Sequence, residues 1–368
     1  MTLIDILDEV PDPRGYNIRH ELTDILFVAL AAVLCGAVDC TGMSVFAQSR
    51  LELLRQFVPL KGGAPSHNTF STVLNMLDPQ AFKTAFSRFM AAFGAQARSD
   101  IAGERRLAVD GKSLRRAYDK GRAHMPPLMA NVFDCETFMS LAQGLAAKGG
   151  EAQGAIEALE ILSLKGCIVT ADALHCHRRM TKTIREDGGH YVIAIKANQS
   201  KLHKEAIAAL DKAAANPRTP VFETEDTAHG RHEVRSVIVT PFTQTPGTKA
   251  LVGLVALARI DVARTCEGVT KHESRTYALS KRFSPLELLS IVRGHWQIEN
   301  NLHWQLDVLL REDQSRTRKN NGPANLAVLR QLALNVLRSD PRKIPMSHKR
   351  LKAGWDHQEL LNLMTHMR

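Results

Sequence analysis

Asp110 and Asp172 each close a short apolar run, Leu107–Asp110 and Cys167–Asp172, and each precedes a small residue, Gly111 or Ala173. Runs of this kind read as buried strands that deliver a carboxylate to the carboxyl end of a sheet, where ligands gather in open α/β folds. Two carboxylates gathered there repel and resist joint ionisation, and a divalent cation relieves that repulsion. All-oxygen donors favour Mg2+ or Mn2+. The competing reading makes each Asp the cap of a following turn. The third candidate acid is Glu299. Val292, His295, Leu302, Leu306 and Leu309 recur at helical spacing, and Glu299 is expected on that inward line. A carboxylate there is costly unless paired or metal-bound. His295 lies one helical turn before Glu299, so an ion pair between them is the alternative. Asp307, Glu312 and Asp313 fit the apolar line less well.

Polar and basic side chains flank all three acids. Lys112, Arg115 and Arg116 follow the first; Lys196 and Asn198 end the apolar run Tyr191–Ile195; His229, Arg231, His232 and Arg235 lie further on. These, with His295, are candidate contacts to nucleic-acid phosphates, which fix register without reading sequence. Asn300 and His303, beside Glu299, are candidates for orienting metal-bound water or a strand end. Each cation has the alternative of a solvated basic face. His175–His177 offers zinc-ligand residue types, but adjacent helical side chains diverge and no partner pair stands at finger spacing, so no structural zinc is expected.

The elements that must position these groups follow from periodicity. Residues 1 to about 100 read as helical: a buried helix over Leu22–Val38, a helix from Asn68 with Ser66 as N-cap, and one opening at Pro79 with Phe82, Phe86, Phe89, Met90 and Phe93 on one face. Strands over Leu107–Asp110, Leu128–Asp134, Thr137–Leu145, Cys167–Asp172 and Tyr191–Ile195 are joined by helices over Gly154–Leu162, His175–Asp187 and Lys201–Ala215. That pattern predicts a mixed α/β sheet flanked by helices. A β-rich insertion is expected at about 217–283, then one long helix from Ser284 to about Leu310 and an amphipathic helix over Ala324–Arg338. The expected division is a helical region 1–100, serving DNA binding or an accessory role, a catalytic domain 101–340 and a basic tail 341–368. Pro65–Leu77 is the candidate base-reading helix, with pure packing as its alternative.

Composition narrows the class. The 368 residues carry 48 Lys+Arg against 38 Asp+Glu, a formal charge of +10. Residues 311–368 hold twelve of the basic residues against five acids, so most of the surplus sits in the last stretch. The surplus suggests a polyanionic partner. Aromatics at 5% argue against single-strand stacking platforms, which leaves double-stranded nucleic acid. The longest apolar run, Ile25–Val38, falls short of the roughly 20 residues a membrane span needs. Met1–Asp5 has no basic n-region, so no secretory leader is expected, and six scattered cysteines suit reduced thiols in a cytoplasm.

Ordered motifs then carry a resemblance. Pro11–Arg14, Ala32–Ala37 and Pro65–Phe70, then Val109–Arg115, Val169–His175, Tyr191–Gln199 and Arg293–Trp304 followed by Leu306–Val308 and Glu312–Asp313, run nearly end to end. In this order the chain resembles insertion-sequence transposases of the DDE, RNase H-like superfamily, in the H-repeat-associated group. The resemblance implies an RNase H-like fold with Asp110, Asp172 and Glu299 as the DDE triad, holding two Mg2+ or Mn2+ ions. It implies cleavage of double-stranded DNA at element ends and transfer of the freed 3′-hydroxyl into target DNA, in the cytoplasm on nucleoid DNA, with a homodimer handling two ends. The alternatives are a catalytically inactive or regulatory DNA-binding relative and a nuclease that cuts without joining.

Overall fold

The runs that end in the two aspartates form neighbouring strands. The computed structural model describes all residues except 1, 17, 98–100, 102, 118–125, 147–149, 229, 245–250 and 366–368. Its strands are β1 (Arg105–Ser113), β2 (Leu128–Asp134), β3 (Ser140–Leu145), β4 (Cys167–Ala171), β5 (His190–Ile195), β6 (Val221–Ala228), β7 (Arg231–Pro241), β8 (Ala256–Cys266) and β9 (Val269–Leu279). Among the described residues these make one mixed sheet in the order β3-β2-β1-β4-β5-β9-β8-β7-β6. β1, β4 and β5 run parallel, β2 and β3 pair antiparallel, and β9 joins β5 antiparallel. The fold is the RNase H-like α/β class expected from the sequence, with the insertion extending the sheet past β5. Its β8–β9 turn uses Glu267 and Gly268, both at positive φ, which matches the twist of a two-residue hairpin.

The helices are α1 (Leu3–Asp8), α2 (Leu22–Leu34), α3 (Cys40–Ser49), α4 (Leu51–Leu54), α5 (His67–Met76), α6 (Pro79–Ala97), α7 (Gly150–Glu160), α8 (Arg178–Glu186), α9 (Ser200–Ala214), α10 (Pro285–His295), α11 (Trp304–Val308), α12 (Gly322–Ser339), α13 (Met346–Trp355) and α14 (His357–Thr365). Ser66 caps α5 by accepting from the Thr69 amide at 3.2 Å. Ser284 and Glu287 form a capping box on α10, with Pro285 in its first turn.

Two expectations are corrected. The long helix from Ser284 does not reach Leu310: α10 ends at His295, a π-helical segment spans Ile298–His303, and α11 follows. The wider π turn shifts the side-chain phase, so Ile298, Leu302 and His303 turn inward while Glu299 is half exposed. The helix expected to be amphipathic over Ala324–Arg338 is α12, buried on every side from Gly322 to Leu337. The basic C-terminal stretch carries α13 and α14. Arg342 forks onto Asp340 and Glu359, and the buried Lys349 ammonium donates to the Asp340 carbonyl at 2.5 Å.

The chain forms two compact units, one of residues 1–101, 111–162 and 298–368, the other of 102–110 and 163–297. This cut differs from the sequence-based division, and β1 runs through it. In the first unit α2 and α12 are almost wholly buried and pack on each other. Close packing of β3 on α7 depends on Gly144: a Cβ there would lie 1.7 Å from the Gly154 carbonyl oxygen. In the second unit Ile168, Val192, Val237, Tyr277 and Leu288 belong to one core beneath the sheet.

A buried ion cluster pins the end of β1 within the first unit. Lys112 reaches Asp307 at 2.7 Å, Asp313 at 3.1 Å and Glu312 at 3.6 Å, with its side chain 8% exposed. Lys112 is therefore a brace, which corrects its expected role as a phosphate contact. Burial opposes its charge, but Glu312, Asp307 and Asp313 prevail and hold its pKa above the ordinary lysine range. Burial pushes the Glu312 carboxyl up, against the pull of Arg330 and Lys112.

Lys112→Met should lower stability by about 3 kcal/mol in urea unfolding, because it leaves the buried Glu312 without its cation and Asp307 and Asp313 unpaired with it. The exposed neighbour Arg115→Ala should shift it by under about 0.5 kcal/mol. The stabilisation from Lys112 should be complete below the unfolded lysine value of about 10.4 and fade as pH rises through the higher folded value. Gly144→Ala should cost about 2 kcal/mol by overpacking, whereas Gly15→Ala, with nothing within 4 Å of the new Cβ, should be near neutral in the same melts.

Candidate active site

The β1–β4 register pairs Arg105 with Cys167 and continues residue by residue to Val109 with Ala171. One step further stand Asp110 and Asp172, on strands separated by about 4.8 Å. Because side chains alternate, both follow the face that carries Ala108 and Thr170. Asp172 also caps the short turn after β4, accepting from the Leu174 amide at 2.9 Å. The capping alternative and the placement at the strand end thus hold together for this residue.

His295 is brought to the same face of the second unit from the last turn of α10. Its Nδ1 lies 2.9 Å from Thr170 Oγ1, whose hydroxyl also reaches the Leu107 carbonyl at 3.2 Å. A hydroxyl donating to that carbonyl accepts from Nδ1–H, which fixes the imidazole beside Asp172. These groups line a cavity of about 340 Å³ together with Lys196, His203, Arg275 and Trp296. The Arg275 guanidinium stacks over the Trp296 ring at 4.7 Å, holding one wall.

Glu299 and His303 belong to the first unit. They share the π-helical segment, with Glu299 Oε2 3.4 Å from His303 Nδ1. Sequence spacing does not single out this contact to His303; the alternative pairing it offers is with His295. The chain passes between units at Asp110–Gly111 and again at Gln297–Ile298, so two of the three candidate acids sit within two residues of a crossing. Asp307, Glu312 and Asp313, the competing acids, are committed to Lys112.

The remaining candidates differ in availability. Arg116, Lys196, Asn198, Arg231 and Asn300 are exposed. Asn198 donates to the Ala173 carbonyl at 2.7 Å, which ties the segment after β5 to the turn after Asp172. Arg115 is exposed but pairs with Asp313 at 3.2 Å. Arg235 is mostly covered and pairs with Glu233 at 2.9 Å, and His232 pairs with Glu225 at 2.5 Å. His229 lies outside the described residues. Buried polar residues around His303 were missed from the sequence: Asn131, Ser140, Gln331 and Asn335 are each fully or nearly fully buried. The available signals were an Asn inside the apolar run Leu128–Phe133 and a Gln and Asn one turn apart on α12.

Comparison with known proteins identifies the family. The family described as Transposase DDE domain matches residues 101–336, and the one described as DDE_Tnp_1-associated matches residues 4–90. "Putative transposase YncI" of Escherichia coli O157:H7 is 31% identical over 92% of this chain and 87% of its own length. "H repeat-associated putative transposase YhhI" of Escherichia coli K12 is 29% identical over 98% of this chain and 97% of its own. Among the described residues no helix is long and apolar enough to cross a membrane. With a catalytic-domain match over most of its length and relatives matching nearly end to end, the chain belongs to the DDE-domain transposase family, a class that processes DNA with divalent metal ions.

Proposed function

We propose that this protein is an insertion-sequence transposase that cleaves double-stranded DNA at element ends and joins the freed 3′-hydroxyl to target DNA. The observation supporting this reading is the β1–β4 register, which carries two aspartates to one end and one face of adjacent parallel strands. Asp110, Asp172 and Glu299 would hold two Mg2+ or Mn2+ ions, for which an all-oxygen donor set is suited. Bound there, such ions activate the attacking oxygen and neutralise the leaving one.

The chain's own residues then bind and orient the DNA. Asp172, His295 and Lys196 line the cavity that receives the scissile strand, with His295 held by Thr170. Lys196, Asn198, Arg231 and Asn300 contact phosphates from exposed positions, joined by Arg115 and Arg116 after β1 and by Arg235 in the insertion. In the first step water bonds to phosphorus, the P–O3′ bond breaks and a 3′-hydroxyl is released. In the second that hydroxyl bonds to a target phosphorus in the same site, the target P–O3′ bond breaks and a target 3′-hydroxyl leaves. Neither step needs a protein nucleophile. A homodimer on two element ends, acting on nucleoid DNA in the cytoplasm, completes the reading.

Asp110→Asn, Asp172→Asn and Glu299→Gln should each reduce cutting of a linear end-containing duplex with Mg2+ to background, with binding to that duplex largely kept. If Glu299→Gln still cuts, Glu299 is not the third ligand. Binding without cutting by the unaltered protein would instead mark a catalytically inactive or regulatory relative, and cut ends that never join would mark a nuclease. Duplex affinity should fall steeply with salt, by about 0.9 in log K per unit log salt for each phosphate contacted; a flat response would rule out a duplex partner.

A further inference from the structure

A polar chain runs through the apolar interior of the first unit and ends on Glu299. Ser140 Oγ meets Gln331 Oε1. Gln331 Nε2 donates to Asn131 Oδ1 at 2.6 Å, and Asn131 Nδ2 faces His303 Nε2 at 3.4 Å. His303 Nδ1 faces Glu299 Oε2 at 3.4 Å. The far end is anchored by Asn335, whose Oδ1 accepts the Ser140 amide at 3.0 Å while its Nδ2 donates to the Ser140 carbonyl at 2.7 Å. Asn131, Ser140, Gln331 and Asn335 are at most 2% exposed and His303 is 6% exposed, so water does not supply substitute partners.

The direction of each bond follows from the groups available. A serine hydroxyl donating to Gln331 Oε1 leaves the Gln331 amide nitrogen toward Asn131, so Asn131 must present its oxygen there and its NH2 toward His303. That NH2 also reaches the Met129 carbonyl at 3.2 Å, which only a donor can do favourably. His303 Nε2 therefore accepts, its ring proton sits on Nδ1, and Nδ1–H points at Glu299. Resting on the reading of Glu299 as a metal ligand, we infer that Asn131, Gln331 and Ser140 are positioning residues: they set the His303 tautomer so that the imidazole donates to Oε2 and holds the carboxylate in a fixed orientation for its cation. The contacts of the imidazole to Asn131 and Glu299 are the longest in this chain of bonds, which leaves them room to tighten when the carboxylate is ligated.

The tautomer is read directly by two-bond 1H–15N correlation on the DNA-free, metal-free full chain labelled with 15N-histidine, with the His303→Gln spectrum assigning the resonance. Protonation at Nδ1 is expected, and protonation at Nε2 overturns the inference whatever the protein does to DNA. Gln331→Glu supplies the second arm. A carboxylate there can only accept, so Asn131 must turn its NH2 toward it, giving up the Met129 carbonyl and presenting its oxygen to Nε2; the ring proton then moves to Nε2 and leaves a lone pair facing Glu299. Its expected effects are the opposite tautomer and a 10–100-fold weaker affinity for Mn2+ alone, followed by electron paramagnetic resonance of the free ion. An unchanged Mn2+ affinity with an inverted tautomer overturns the positioning role. Failure of the unaltered protein to bind Mn2+ would instead sink the assignment of Glu299 as a ligand, while the tautomer measurement still decides the direction of the chain.

Discussion

The parallel pairing of β1 with β4 is the constraint from which the rest of the site follows. A parallel pair needs a crossover, here β2, β3 and α7, and its register determines which residues reach the strand ends together. A slip of one residue would send one aspartate to the opposite face of the sheet. The ladder from Arg105–Cys167 to Val109–Ala171 leaves Asp110 and Asp172 as the next pair, and it brings Thr170 to the face where His295 lies. Strands buried on both faces, as β4 is, hold such a register firmly because every slip would unpack apolar side chains.

The first unit relies on polar groups that its interior must satisfy. Lys112 gathers three carboxylates at the end of β1, and Asn131, Ser140, Gln331 and Asn335 satisfy one another between the β2–β3 pair and α12. Buried polar groups without partners cost more than their bonds return, so such networks favour one arrangement of side chains over its near alternatives. The π-helical turn at Ile298–His303 fits the same logic. It puts His303 inside, where Asn131 meets it, and leaves Glu299 at the surface.

The insertion is organised differently. β7, β8 and β9 are long; the outer half of β9 is exposed, while β7 and β8 are mostly half-buried or buried. Charges there are matched locally, Arg235 and Arg264 with Glu233 and Arg275 with Glu273. The basic surplus of the chain is therefore not spread evenly as free cations. The cations at the C-terminus are likewise partly used to fold it, as Arg342 and Lys349 are on Asp340.

Local pattern alone determined a good deal about this protein. The strands carrying Asp110 and preceding Asp172, the Ser66 and Ser284 caps, the insertion and the α/β class are all properties of short windows, where side-chain period and turn chemistry act on near neighbours, although β1 runs three residues beyond Asp110 to Ser113. What needed the folded chain were facts about distant partners. Helical spacing placed Glu299 on an apolar line, but one wide turn changed its phase, and no local count of residues registers such a turn. Lys112 looked like a phosphate contact because nothing near it in sequence discloses Asp307, Glu312 and Asp313 closing around its ammonium. The helix over Ala324–Arg338 reads as amphipathic, but packing buries Gln331 and Asn335 along with its apolar residues, because burial is set by what lies across the interior and not by the helix itself.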